Sequence, residues 1–439
     1  MHTMKKFAFI LLPLLLLLAT PLPAGEKLRL TLEEAKAIAL KNNPTLARAK
    51  ASVEAARAAI EQATAAYYPS IDLSAGATRL RDYPTRPDRD YDNTTQYSVG
   101  LSGSWLIYNG GARRFNYLIA KAGGETALQE HADAKRTLLE NVSYAFYVVV
   151  QSQNSMDIAK QDAEFNRQLL DDSQKKLDLG VAKQSEVLNF KYQVEKAEIN
   201  YISAEETWRD ACIALGQLLV IEQDSIWDCI ELVPAAADPA KVPPADVNAM
   251  LHYAAEHRPD LKNAEQEVRR AEYSVSLARA SWQPTVSAFY NYDFQRTHSA
   301  HFNTHYDRGV TFGVSASWNI FGGGATTAAV SAAQAQLDAA REALNATRLA
   351  VNANVRECCI RLDTNRRTLE KQIQLHEIAK QIRDLVREEY LGGTATITRL
   401  NEVQTDLTNA ANAKSIAEVS LLNSIERLAA ATGQNLQEK

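Results

Sequence analysis

No proline occurs from Ala112 to Leu179 or from Ala325 to Leu391. In the second run apolar residues recur at Leu337, Leu344, Val351, Val355, Cys358, Leu362, Leu369 and Ile373, which is coiled-coil spacing. A helix of some 68 residues is about 100 Å long at ~1.5 Å per residue. A single globular domain has no use for such a rod. Each run ends at glycine, in Leu179-Gly180-Val181 and Gly392-Gly393-Thr394, and the helical pattern then resumes as far as Gly216 and Gly433. Glycine tolerates positive φ, so the chain can reverse there. Two antiparallel pairs of long helices are expected, over 112–216 and 325–433.

Each pair is preceded by the same order of signals. QYSVGLSGSWLIYNGG at 96–111 returns as GVTFGVSASWNIFGGG at 309–324, and Trp105, Gly111, Asn141 and Gly180 return 213 positions later as Trp318, Gly324, Asn354 and Gly393. Upstream the offset is 215: Asn43-Pro44 becomes Arg258-Pro259, and Tyr68-Pro69 becomes Gln283-Pro284. Gly216-Gln217 is matched to Gly433-Gln434 at the far ends. Fixed offsets of this kind mark a tandem duplication. The first repeat is placed at 25–217 and the second at 246–439, with a proline-rich connector at 218–245. Within each repeat a helix comes first, opened in the first copy by a Thr31…Glu34 capping box and running to about Ala66. Alternating apolar and polar residues then predict strands at about 70–80 and 96–108, and again at 285–295 and 309–321, paired as antiparallel hairpins.

The start of the chain sets its compartment. Lys5 and Lys6 precede an apolar run from Phe7 to Leu18 and a small-residue break at Pro23-Ala24-Gly25, so residues 1–24 read as a secretory signal. No later stretch is apolar enough for a membrane helix, and a net charge of −5 gives no electrostatic grip on nucleic acid. Any crossing of a membrane must therefore use strands.

Four strands cannot close a barrel, yet an open strand edge in lipid leaves backbone groups unpaired. Several copies, each giving four strands, would close one. Trp105, Tyr108, Trp318 and Phe321 fall where strand gives way to helix, the position of an interfacial aromatic girdle. The competing reading is a small soluble sheet with ordinary buried tryptophans.

The signal segment, duplication, paired hairpins, Ser-Trp…Gly-Gly transitions and glycine-ended helices, in this order, resemble the TolC family of outer-membrane efflux proteins. The resemblance implies an α+β membrane protein: a homotrimer with a 12-stranded barrel in outer-membrane lipid, continued by a periplasmic α-helical barrel. It implies docking to a periplasmic membrane-fusion adaptor and, through that, to an inner-membrane pump that is proton-driven or of ABC type. By the same resemblance Gly180, Val181, Gly393 and Thr394 form adaptor-facing turns, and Tyr390, Glu186 and Glu402 match gate and constriction residues. The family pattern is broken at Ala395, where a gate arginine is common, and at Arg399, in place of a second constriction acid. Rings of Arg399 and Glu402 about a threefold axis would select cations less than acids alone; the plain alternative is solvated charges on a helix face.

Other groupings lead less far. His298, His301 and His305 lie in one polar loop, read as flexible rather than metal-binding. Cys212 and Cys229 leave a disulfide or two free thiols open, while adjacent Cys358 and Cys359 suit helix packing. Neither G-x-S-x-G nor H-E-x-x-H occurs, and Gly322-Gly323-Gly324 lacks the Lys-Ser/Thr of a phosphate loop. No enzyme, cofactor or metal site is expected. The function this points to is a passive exit duct; the alternative is a periplasmic coiled-coil tether without a pore.

Overall fold

The computed structural model describes residues 28–82, 92–180, 183–221, 230–234, 237–299 and 305–437. The signal segment, Val181, Cys229 and His301 lie outside the described residues. Helix α1 (Leu32–Asn42) starts at the capping box: Thr31 Oγ1 accepts from the Glu34 amide at 3.3 Å, and Glu34 accepts from the Thr31 amide at 2.8 Å. The Thr31 amide and, at 2.9 Å, the Thr31 hydroxyl both donate to that carboxylate, which lowers the Glu34 pKa. The helix does not continue to Ala66 as expected. It stops at Asn43, because Pro44 has no N–H to give and instead opens α2 (Pro44–Ala65). Asn43 caps α2 by accepting from the Thr45 amide at 2.9 Å. In the second repeat α5 (Val247–His257) and α6 (Pro259–Ala280) break at Arg258, whose guanidinium bonds Asp260 at 2.9 and 2.7 Å and the Ala431 carbonyl at 2.8 Å.

The proline-free runs are single helices, α3 (Ala112–Asp178) and α7 (Ala325–Leu391), each of 67 residues. They fold back as α4 (Gln184–Leu219) and α8 (Ile397–Thr432). Gly216 does not end α4; it is buried inside that helix. The chain leaves the helix at Val220 (φ 57°), which stands 213 residues before Gly433 (φ 83°), so one offset holds to the end of the repeat. The earlier match of Gly216 to Gly433 is thereby corrected.

A core lies midway along the rods, where Ala35 and Ala39 of α1, Val142 and Phe146 of α3 and Leu215 and Leu219 of α4 pack together. Beside it, buried Lys36 pairs with Glu33 at 3.0 Å and Glu426 at 2.9 Å, and Ser143 donates to Glu426 at 3.1 Å. This ties α1, α3 and α8 together. The connector is not wholly irregular: β4 (Ile230–Leu232) pairs in parallel with β1 (Leu28–Leu30). Cys358 and Cys359 are buried with Val355, Leu362 and Leu421.

At one end of the rods β2 (Ser70–Asp82), β3 (Asp92–Asn109), β5 (Thr285–Ser299) and β6 (His305–Ser317) form one antiparallel sheet in the order β2-β3-β5-β6. Strand β6 ends four residues short of the expected 321. Its counterpart β3 runs on to Asn109 because Asn109 pairs with Thr285 of β5, whereas Thr285 is matched on its other side by Ser317, so β5 offers residues 318–321 no partner.

Candidate functional site at the two ends of the rods

The strand end is a sheet with two exposed faces. Register places Leu73, Leu101, Tyr292 and Val310 in one row across all four strands, and Asp72, Ser102, Asn291 and Thr311 in the next. Alternation by two puts these rows on opposite faces. The apolar row has no core over it: Leu73 is 76 % exposed and Val310 55 %, and Phe312 in the adjacent apolar row is 77 % exposed. The soluble-sheet reading required these side chains to be buried.

Where strand becomes helix, each tryptophan makes the same bond. Trp105 Nε1 donates to the Tyr67 carbonyl and Trp318 Nε1 to the Trp282 carbonyl, both at 3.0 Å. The indoles thus tie the end of a strand to the end of the preceding helix while their rings stay half exposed. Tyr108 is exposed in β3, and Phe321 is 86 % exposed beyond the end of β6. Arg113, not singled out in the sequence, locks this corner. Its guanidinium donates to the carbonyls of Leu106 and of Ile107 (2.9 Å) and stacks over Tyr67 at 4.7 Å. The turn itself needs glycine: at Gly110 (φ 66°) a Cβ would stand 2.5 Å from the Ala280 carbonyl oxygen.

At the opposite end the two helix turns lie over a shared core of Phe165, Leu169, Phe190, Val386, Leu400 and Val403. Gly393 (φ 78°) is flanked by bonds from its own amide to Tyr390 O (3.1 Å) and from the Thr394 amide to Glu389 O (2.9 Å). This is a Schellman closure, and it needs φ > 0 rather than space. Gly180 (φ 74°) bonds Leu177 O at 2.8 Å in the equivalent turn.

The four charged or phenolic gate candidates separate into two pairs. Tyr390 is half-buried, edge-on to Phe190 at 6.1 Å and under Lys176 Nζ at 4.9 Å. Burial first, then the nearby carboxylates Glu186 and Asp172, push its pKa up. Among the described residues no hydrogen bond joins Tyr390 to Glu186. Arg399 and Glu402 lie on an exposed face of α8 and pair with each other at 2.7 Å within one chain. An exposed pair of this kind contributes about 0–1 kcal/mol. Ala395 packs against the shared tip core beside Tyr390 and Ile397.

Sequence reading missed a polar link between the helix pairs at this end. Asp162 accepts from Gln404 at 2.7 Å and Thr408 at 3.1 Å, and Asn401 donates to Asn189 at 2.9 Å, joining α8 to α3 and α4. Partners over two hundred residues apart leave no local pattern to find. Among the described residues no cluster of three or more His, Cys, Asp or Glu is placed to hold a metal ion.

The profile of the family described as outer membrane efflux protein matches residues 37–219 and 250–434, one segment in each repeat. The chain belongs to that family. It is therefore an outer-membrane protein of an efflux and export channel family, not a family of enzymes. Protein CyaE of Bordetella pertussis is 26 % identical over 266 residues, covering 61 % of this chain and 55 % of CyaE. The match thus spans little more than half of that relative. The pyoverdine export outer membrane protein OpmQ of Pseudomonas aeruginosa is 25 % identical over 383 residues, covering 85 % of this chain and 79 % of OpmQ. In fold the chain is similar to the outer membrane channel CmeC of Campylobacter jejuni, with a TM-score of 0.81 at 20 % identity over 92 % of this chain and 85 % of CmeC.

Proposed function

We propose that three copies of this chain form an exit duct through the outer membrane. Their sheets close a twelve-stranded barrel, and their rods continue it as a helical tunnel in the periplasm. The observation that carries this reading is the four-stranded sheet with one apolar face, one polar face, no covering core and free edges on β2 and β6. Closure into a barrel pairs those edges, puts the Leu73 row in lipid and leaves the Asp72 row facing a water-filled lumen. Trp105, Tyr108, Trp318 and Phe321 then form the girdle at the inner interface.

The duct is passive: a periplasmic adaptor docks on the turns at Gly180, Val181, Gly393 and Thr394, and an inner-membrane pump supplies the energy. Tyr390 and Glu186 hold the tips together, with Arg399 and Glu402 facing the entrance. Because Arg399 already neutralises Glu402 within each chain, the entrance selects cations weakly.

Conductance of the purified protein in a planar bilayer tests this. Small, mostly closed currents are expected, growing in the Tyr390→Phe/Glu186→Ala variant. Large currents unchanged by the variant would discard the gate residues, and no current from folded oligomer would favour the tether.

A further inference from the structure

In the described strands, every charged residue that register places on the apolar face of the sheet is basic. Counting by two from Leu73, Tyr292 and Val310 reaches Arg79 on β2, Arg296 on β5 and Arg308 on β6. Asp72, Asp293 and Asp307 fall on the opposite, polar face. Side-chain positions agree with the count: a Cβ at Gly100 of the polar face would meet Ser74 Oγ at 3.0 Å and Asp293 Oδ1 at 3.2 Å. Arg79, Arg296 and Arg308 are exposed. Among the described residues no carboxylate stands within ion-pair distance of any of them. A face built of Leu, Val, Phe and Tyr thus carries arginines that its own chain leaves uncompensated.

These arginines gather at the loop end of the sheet. Each is three positions from the loop end of its strand, at Asp82, Ser299 and His305 respectively. Tyr108, at the aromatic corner, pairs with Val286, ten residues before Arg296 on the same strand. At ~3.4 Å per residue and a barrel tilt of about 40°, ten residues rise roughly 25 Å, the height of a barrel's apolar band. In the barrel Arg296 therefore stands where hydrocarbon gives way to headgroups, on the rim opposite the girdle. The rows of Arg79 and Arg308 lie two residues to either side of it along β5, at His298 and Phe294. A lipid-facing arginine is costly at the bilayer centre and costs little at this height. Tyr97 and Tyr306 flank Arg296 in one row, and its guanidinium lies 5.5 Å over the Tyr306 ring, which holds it on this face.

We propose that Arg79, Arg296 and Arg308 form a binding site for the phosphate groups of a lipid headgroup in the outer leaflet. This rests on the duct reading, which turns the apolar face to lipid, and it names the chemistry of a lipid held there. Guanidinium pairs bidentately with phosphate and keeps its charge at any working pH. Arg296 and Arg308 are diagonal neighbours on adjacent strands, with α-carbons about 7–8 Å apart. Arg79 lies two strands from β5, which is roughly 10 Å at ~4.8 Å per strand. That spacing suits a headgroup with two phosphates, one held by Arg296 and Arg308 together and the other by Arg79. The strand acids Asp72, Asp293 and Asp307 face the lumen in the barrel, so lipid phosphates are the anions that meet these arginines from outside.

The test combines Arg79→Gln, Arg296→Gln and Arg308→Gln in the full chain. Purified oligomer in detergent is incubated with bisphosphorylated lipid A, or with the same lipid stripped of its phosphates. Bound lipid is counted by native mass spectrometry, and currents are recorded in planar bilayers from the same preparations. The wild-type chain is expected to hold the phosphorylated lipid, and the triple variant to bind it at least about tenfold more weakly because charge-assisted bonds are lost. Neither should hold the phosphate-free form. Arg296→Lys with Arg308→Lys keeps the charge but loses the bidentate fork, so its binding should fall between the two; it decides the matter if the triple variant fails to assemble. Equal binding by wild type and variants, or phosphate-free lipid held as well as the phosphorylated form, overturns the site, while currents from the same samples leave the duct reading intact. A folded oligomer that neither binds lipid nor conducts overturns both.

Discussion

The middle of the rods and the sheet at their end obey opposite rules. Midway, Phe146 is fully buried and Lys36 is buried beside its acids. In the sheet every strand carries large apolar residues that lie open, among them Leu73, Leu101, Tyr292 and Val310 in one row. A chain that buries Phe146 so completely has not failed to bury Leu73. The difference supports a reading in which the two regions are built for different solvents: one core excludes water by itself, and the other face, in the proposed barrel, meets lipid.

The sharpest way to break that contrast is to shorten one residue on each side. In detergent Phe146→Ala should lower the stability of the helical unit by about 3–5 kcal/mol through lost transfer energy and a cavity, read by denaturant titration of helical circular dichroism. Leu73→Ala should change it by less than ~0.5 kcal/mol, as for an open surface position. Equal losses would mean that the sheet hides a core.

Alkali should find the buried middle. Burial, reinforced by the Glu426 charge, raises the Tyr147 pKa from 10.0 to about 12. The folded chain therefore keeps this proton after the unfolded chain has lost it. The contribution is full below pH 10 and is lost as pH rises towards 12, by on the order of 2 kcal/mol. Tyr147→Phe should remove that step from the pH dependence of unfolding; an unchanged step would assign it to other groups.

A smaller effect separates the repeats. Val220 adopts left-handed backbone where the second repeat has Gly433. A β-branched residue there costs about 1–2 kcal/mol, and Val220 is 39 % exposed, so little packing is lost on trimming it. Val220→Gly should raise the thermal midpoint by the equivalent of about 1 kcal/mol; Val220→Ala, which keeps the strain, should not.

Much of the fold was legible because its signals are local and repeated. Proline-free runs closed by Gly180 and Gly393 coincide with α3 and α7 and their turns, and the Thr31–Glu34 box opens α1. Alternation located the strands, but not the end of β6, which depends on what its neighbour β5 can pair. Asn43-Pro44 marks the repeat and also a helix boundary, because Pro44 opens α2. Long-range links escaped altogether. Lys36 to Glu426 and Asp162 to Gln404 join residues with no shared sequence pattern. At the tip, sequence could place Tyr390 and Glu186 near their turns. The pairing of Arg399 with Glu402 in the same chain fits their spacing of three on a helix and is made in the structure.

The central claim is that adjacent residues of one strand meet lipid and water in turn. Val310 and Thr311 of β6 lie in the apolar and polar rows. Each is changed to cysteine, labelled with an environment-sensitive fluorophore and reconstituted in liposomes. The account predicts quenching of the Val310→Cys label by brominated lipid but not by iodide, and the reverse for Thr311→Cys. Iodide quenching of both labels alike, with no response to brominated lipid, would contradict it.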